Sequence, residues 1–380
     1  MLNEFAGGNF CARDAFVLMA ATLLAKYMAI GFSPLKLISE EGQQIEMSAS
    51  WSGPRGTIKQ AGAGPLTISW EGKPMRNTHS FQLFFLVFSL AAAVPCAVGQ
   101  VTVATIPVGP SPFGVAANSV TNKTYVANLS CTTLPCPSPG TVTVIDGATN
   151  NTTTVNVGVY PYAVAVNSVT NKIYVVNFCG NDVNCGSPGT VTVIDGATNN
   201  TATVNVGAFP NALAVNSVTN QIYVVNNCGN DNSCSSPGTV TVIAGATDNT
   251  TTVNVGAYPY FAAVDSVTNQ IYVTNNCGND LTCSSPGTVT VIAGATNNTT
   301  TVNVGAFPYG VAVNAVTNNI YVANQCGNDL TCGSDGTVTV IAGATNNTAT
   351  VSVEVSPYLV GVDAVTNKIY VPNFCGNDLT

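Results

Sequence analysis

Beyond Gln100 the chain has no arginine, no histidine, no methionine and no tryptophan. Its cationic side chains there are Lys123, Lys172 and Lys368, and its single glutamate is Glu354. Each absence closes off a class of function. Nucleic acids require Lys and Arg to neutralise phosphates, so no nucleic-acid partner is expected. General acid–base chemistry draws chiefly on His, Glu, Asp and Lys, and most of these are scarce. The reading is therefore no enzyme and no cofactor. Eleven aspartates and Glu354 outnumber the three lysines, so the stretch is acidic. Helical periodicity and long apolar runs are missing as well, and no membrane span is expected in the mature chain.

Residues 1–99 differ in composition. They hold both tryptophans, all five methionines and the one histidine, His79. Within them, Met75-Arg76-Asn77-Thr78-His79 is a short basic start and Phe81 to Ala93 an apolar core. Ala97-Val98-Gly99 then supplies the small residues that a signal peptidase reads. Residues 75–99 are accordingly read as a signal peptide, with secretion or cell-surface display and Gln100 as the mature N-terminus. A signal belongs at an N-terminus, so residues 1–74 read as a non-native or mis-assigned leader, disordered or helical. The rival reading makes Ala15 to Phe32 a membrane anchor, at a cost of a few kcal/mol for Lys26 inside it.

What fills residues 100–380 is a repeat. Tyr125, Tyr174, Tyr223, Tyr272, Tyr321 and Tyr370 stand 49 residues apart. A fixed period of that size marks stacked supersecondary units. In the copy from Gly158 to Val206, Tyr162 to Asn167 alternates as a strand and Ser168 to Asn171 is a turn. Lys172 to Asn177 is a second strand, followed by a cysteine-bearing loop. Gly189 to Ile194 and Thr201 to Val206 are the third and fourth strands, joined by an Asn/Gly turn. Four antiparallel strands per period describe a β-propeller blade. The predicted fold is an all-β propeller with five complete blades and a partial sixth. Val101 to Val108 aligns with a fourth strand, suited to closing the last blade. A sixth copy that reaches only its second strand, with the partner of Cys375 due just past Thr380, predicts C-terminal truncation.

The returning segments Tyr272–Asn275 (YVTN), Tyr125–Asn128 (YVAN), Tyr174–Asn177 and Tyr223–Asn226 (YVVN), Tyr321–Asn324 (YVAN) and Tyr370–Asn373 (YVPN) resemble the YVTN family of β-propeller repeats. The Pro-x-x-x-A/G-V segment before them and Gly-Thr-Val-Thr-Val-Ile after them fit the same family. The resemblance covers about Gln100 to Thr380 and implies the propeller fold. It implies little about function, since related propellers are surface proteins, binding scaffolds and, more distantly, lactonases and quinoprotein dehydrogenases.

Cysteines come in pairs in the loop between strands two and three: Cys131/Cys136, Cys179/Cys185, Cys228/Cys234, Cys277/Cys283 and Cys326/Cys332. Disulfides are the favoured reading in an exported chain. Zinc usually asks for four ligands at C-x2-C or histidine spacing, and the pairs here are spaced C-x5-C or C-x4-C. The same loops carry Asp182, Asp231, Asp280 and Asp329, turn residues first and calcium ligands only second. The Asn-x-Thr triplets, such as Asn199-Asn200-Thr201, read as turns before glycosylation sites.

Strand order puts the cysteine loops and the loops leading into strand one on one face. Aromatics before the proline of those loops are expected between blades. Those after it, Tyr162, Tyr260, Tyr309 and Tyr358, are expected at the channel mouth. With Asp182, Asp231, Asp280 and Asp329 they form the candidate binding face for an unidentified protein or glycan. The functional expectation is an exported, non-enzymatic propeller that binds a partner at a bacterial cell surface. A structural envelope layer is the alternative. A divergent lactonase-like or quinoprotein-like enzyme ranks below it, because Asp146, Asp195, Asp248, Asp265, Asp335 and Asp363 vary between copies and form no dyad.

Overall fold

The computed structural model describes residues 35–39, 44–47, 66–68, 104–131 and 138–376. Two compact units divide near residue 105. In the first, Leu35–Ser39 pairs antiparallel with Gln44–Met47 and with Leu66–Ile68. Leu35, Leu37, Ile45, Met47, Leu66 and Ile68 recur with period two, the spacing of a strand. The expected signal peptide, 75–99, lies outside the described residues.

The second unit is a succession of four-stranded antiparallel sheets in simple sequence order. In blade two, Pro161–Asn167, Lys172–Asn177, Thr190–Asp195 and Thr201–Asn205 form the sheet, within a residue of the predicted spans. Blade one runs from Pro112–Asn118 to Thr152–Asn156 and blade three from Pro210–Asn216 to Thr250–Asn254. Blade four runs from Pro259–Asp265 to Thr299–Asn303, and blade five from Pro308–Asn314 to Thr348–Ser352. First strands of successive blades lie side by side around the inside. Fourth strands lie outermost and are largely exposed. Five complete blades plus partial sheets make the chain a β-propeller.

The core lies in the seams between blades rather than within them. Tyr174 of blade two packs with Val176, Val191 and Val193 of its own sheet and with Ile222, Val224 and Ile243 of blade three. Tyr125, Tyr223 and Tyr272 repeat this against the blade that follows each. All four are fully buried. Glycine makes the seam narrow: a Cβ on Gly189 would stand 2.2 Å from the Pro210 ring of the next blade.

The asparagine that ends the YVxN motif ties three segments together. Asn177 donates through Nδ2 to Thr190 Oγ1 (3.0 Å) and Thr192 Oγ1 (2.9 Å), and its Oδ1 accepts from Gly158 N. A second set of asparagines bridges blades. Asn118 donates to Asn171, Asn167 to Asn220, Asn216 to Asn269 and Asn314 to Asn367, at 2.9–3.0 Å. At the fourth seam Asp265 takes the donor's place. It is fully buried, and its Oδ2 and the facing Asn318 Oδ1 both lack a partner. Two acceptors meet there.

The sixth blade is a broken hairpin: Val355–Pro357 pairs with Asn373–Gly376, and Gly361–Asp363 with Lys368–Tyr370. No third strand flanks it among the described residues, so Tyr370 is 58 % exposed where its counterparts are covered. Tyr321, which faces this blade, is half-buried for the same reason. The expected fourth strand at Val101 to Val108 is corrected over residues 104–108, which form no strand. Pro107 stands where Asn205 pairs with Thr190 in blade two, and proline has no N–H for that ladder.

Candidate functional site

Each first strand begins with an irregularity. In blade two Pro161 pairs with Asn177 and Ala163 with Val176, so Tyr162 is left out of register. The same skip falls on Phe113, Asn211, Tyr260 with Phe261, and Tyr309 with Gly310. The residue before each proline adopts a left-handed backbone, with φ of +49° to +58° at Tyr160, Phe209, Tyr258 and Phe307. A bulge of this kind turns its extra side chain away from the sheet. Because these are the inner strands, the turned side chains line the mouth of the channel.

Of the four predicted mouth tyrosines, Tyr260, Tyr309 and Tyr358 come together, while Tyr162 packs on Phe113, Tyr160 and Phe178. Tyr260 and Tyr309 have ring centroids 4.3 Å apart, and Tyr309 and Tyr358 4.0 Å. The Tyr358 phenol donates to the Tyr309 phenol oxygen at 2.5 Å. Phe113 lies 4.4 Å from Tyr162. Burial first, then the phenols of Tyr260, Tyr358 and Tyr160, raise the Tyr162 hydroxyl above its ordinary value. Tyr309 is raised by burial and then by its hydrogen bonds to Tyr358 and Tyr260. Raised in this way, the Tyr162 and Tyr309 phenols stay neutral near neutral pH, and each can donate and accept.

Blade four supplies a support that its neighbours lack. Thr274, at the third place of the motif, accepts from Phe261 N (3.1 Å) and donates to Tyr309 O (2.8 Å). It links the bulges of blades four and five. Gly310 lets blade six approach: its N–H donates to Tyr358 O at 3.0 Å, and a Cβ there would lie 2.7 Å from Leu359 Cα.

The stapled loops share this face, as the strand order requires. Val159 N donates to Gly180 O and Phe178 N to Tyr160 O, clamping the cysteine loop onto the link into strand one. Disulfides join Cys179–Cys185, Cys228–Cys234, Cys277–Cys283 and Cys326–Cys332. Cys131 is disulfide-bonded as well, while Cys136 lies outside the described residues.

The four aspartates turn inward to their own loops. Asp182 accepts from Asn184 N, Gly186 N and Ser187 Oγ. Asp231 accepts from Ser233 and Ser235, Asp280 from Thr282 and Ser284, and Asp329 from Thr331 and Gly333. These bonds hold all four carboxyls below the usual aspartate value. Their oxygens organise the turn before they offer anything to a ligand.

Three participants were missed in the sequence. Phe178 touches Tyr160, Tyr162 and Phe209, with the last centroid at 5.0 Å. Phe261 lies 5.3 Å from Tyr309. Asn211 holds the bulge position of blade three, where every other copy has an aromatic residue. That substitution was readable by aligning the copies at 49 residues; its buried position was not.

No protein-family profile matches the chain, and no curated protein matches its sequence. Solved structures do. The hydrazine synthase of Kuenenia stuttgartiensis aligns with a TM-score of 0.54 at 18 % identity, over 72 % of this chain and 77 % of that one. A nidogen/laminin complex aligns at 0.44 and 11 % identity, over 86 % and 97 % respectively. The first likeness carries the fold alone, and the second carries no argument.

Proposed function

We propose that this chain is an exported, non-enzymatic propeller of YVTN type that binds a protein or glycan partner at a cell surface through its bulged face. The observation that carries the reading is the collar of aromatic side chains at the starts of the inner strands, above loops closed by disulfides. Aromatics dominate binding sites because they offer large contact areas with few rotatable bonds. The disulfides fit an oxidising compartment. Export through a signal that begins at Met75 agrees with them. Among the described residues no dyad of titratable side chains accompanies the tyrosines, and Asp182, Asp231, Asp280 and Asp329 are committed to turns.

Labelled protein applied to bacterial cells and to a glycan array tests the reading, with Tyr260→Ala and Tyr309→Ala set against changes on the outer strands. Loss of binding confined to the mouth variants supports it. Equal binding by all variants overturns it. A structural layer is the second reading, favoured by the near-identical outer strands Thr250–Asn254 and Thr299–Asn303. Ordered self-assembly seen by electron microscopy would select it. Turnover in a hydrolase and dehydrogenase panel with added Ca²⁺, abolished by chelator, would select an enzyme instead.

A further inference from the structure

Six equivalent positions, 49 residues apart, follow the prolines at the mouth: the bulge residues Phe113, Tyr162, Asn211, Tyr260 and Tyr309, and Tyr358 of blade six. Five are aromatic, so the backbone itself accepts a ring there and blade three has no conformational need for an amide. Asn211 is 9 % exposed, and its Nδ2 donates to Pro259 O at 3.2 Å. Its carbonyl oxygen is buried and accepts nothing. An unsatisfied buried acceptor costs about 1–3 kcal/mol. The internal copies act as a control: the fold is built five times without this expense.

The neighbours of Asn211 on the collar restrict what could satisfy it. Tyr162 stands on the blade before and Tyr260 on the blade after, both half-buried. Among the described residues no cationic side chain belongs to the collar. Lys123 and Lys172 are engaged at the far ends of the strands, each at 2.8 Å from a turn carbonyl, Gly196 O and Gly245 O. An anionic ligand would find no counter-charge. Ring faces, neutral phenols and one amide acceptor suit a neutral ring compound with apolar faces, hydroxyls and an N–H.

We infer that the mouth is a subsite for a neutral N-acetylated pyranose, whose acetamido N–H donates to Asn211 Oδ1 when the Tyr162 or Tyr260 ring turns aside to stack on the sugar. This rests on the binding reading of the same face and names its ligand class.

Isothermal titration calorimetry of the full chain with the N-acetylglucosamine tetramer tests the inference. Saturable binding is expected, weakened about tenfold or more by Asn211→Phe, the loss of one hydrogen bond in a buried site. Asn211→Phe copies what other blades carry, so its thermal midpoint should equal or exceed that of the parent and mark a folded protein. Asn211→Ala should weaken binding similarly. Three results would overturn the inference: no binding of the tetramer, undiminished binding by folded Asn211→Phe, or equal affinity for a sulfated tetramer. If the tetramer fails while Tyr260→Ala still abolishes attachment to cells, the ligand class is wrong and the binding face stands. If Tyr260→Ala changes neither, both fail.

Discussion

Two sets of tyrosines divide the labour of this molecule. The seam tyrosines, Tyr125, Tyr174, Tyr223 and Tyr272, are fully buried and recur without variation. Their hydroxyls are raised by burial, to about 12 for Tyr174, Tyr223 and Tyr272. Among the mouth tyrosines, Tyr260, Tyr309 and Tyr358 stack in a row and Tyr162 stacks on Phe113, and the position they hold varies from blade to blade. Seam positions answer to the same packing problem five times over, so the repeat keeps them constant. Mouth positions sit outside the ladder and are free to differ. Constancy here marks stability, and variation marks the surface available for recognition.

The largest effect should come from breaking a seam. Tyr174→Ala removes a ring shared by two blades and should cost about 3–5 kcal/mol, as for other buried aromatics. Tyr260→Ala at the mouth should cost about 1 kcal/mol, the scale of one aromatic pair. Denaturant midpoints of the two variants compare them directly. Similar losses would erase the distinction drawn between the two sets.

Alkali probes the same contrast without mutation. A folded-state pKa raised above the ordinary 10.0 means that the neutral phenol is stabilised by folding. That stability is complete below pH 10 and is lost as the pH climbs through about 12. Tyr174, Tyr223 and Tyr272 should each contribute about 2–3 kcal/mol to the loss. Unfolding followed by circular dichroism should therefore steepen between those values. A flat profile to pH 12 would contradict the assignment.

Removing one staple should cost less. Replacing Cys228 and Cys234 together by serine opens a short loop, worth about 2 kcal/mol by chain entropy. Mass spectrometry confirms the lost bond and calorimetry reads the shift in midpoint.

The smallest change expected is a gain. Asp265→Asn gives the fourth seam the amide donor that the other seams use toward Asn171, Asn220, Asn269 and Asn367. It should satisfy Asn318 Oδ1 and raise stability by about 1 kcal/mol at neutral pH. A lower midpoint would mean that Asp265 already has a donor.

Much of this was legible in the chain. The second strand Lys172–Asn177 matched its predicted span, because the apolar run Ile173, Tyr174, Val175 and Val176 is bounded by a lysine and an asparagine. The cysteine pairing followed from spacing, and the shared face of loops followed from strand order. The bulges were not legible. A residue such as Tyr160 with φ of +58° before a proline has no signature in composition, since the left-handed backbone is imposed by the clamp from the cysteine loop. The turn role of Asp182 was legible, and its carboxylate is claimed by amides two and four residues onward.

The 49-residue period by itself determined the blade, its four strands and the tyrosine that joins it to the next, because identical neighbours repeat identical packing. Only the tertiary structure decided which tyrosines face a seam and which face the channel. That choice depends on one residue left out of register at the start of each inner strand, and on the rings of successive blades stacking there, Tyr260 on Tyr309 and Tyr309 on Tyr358.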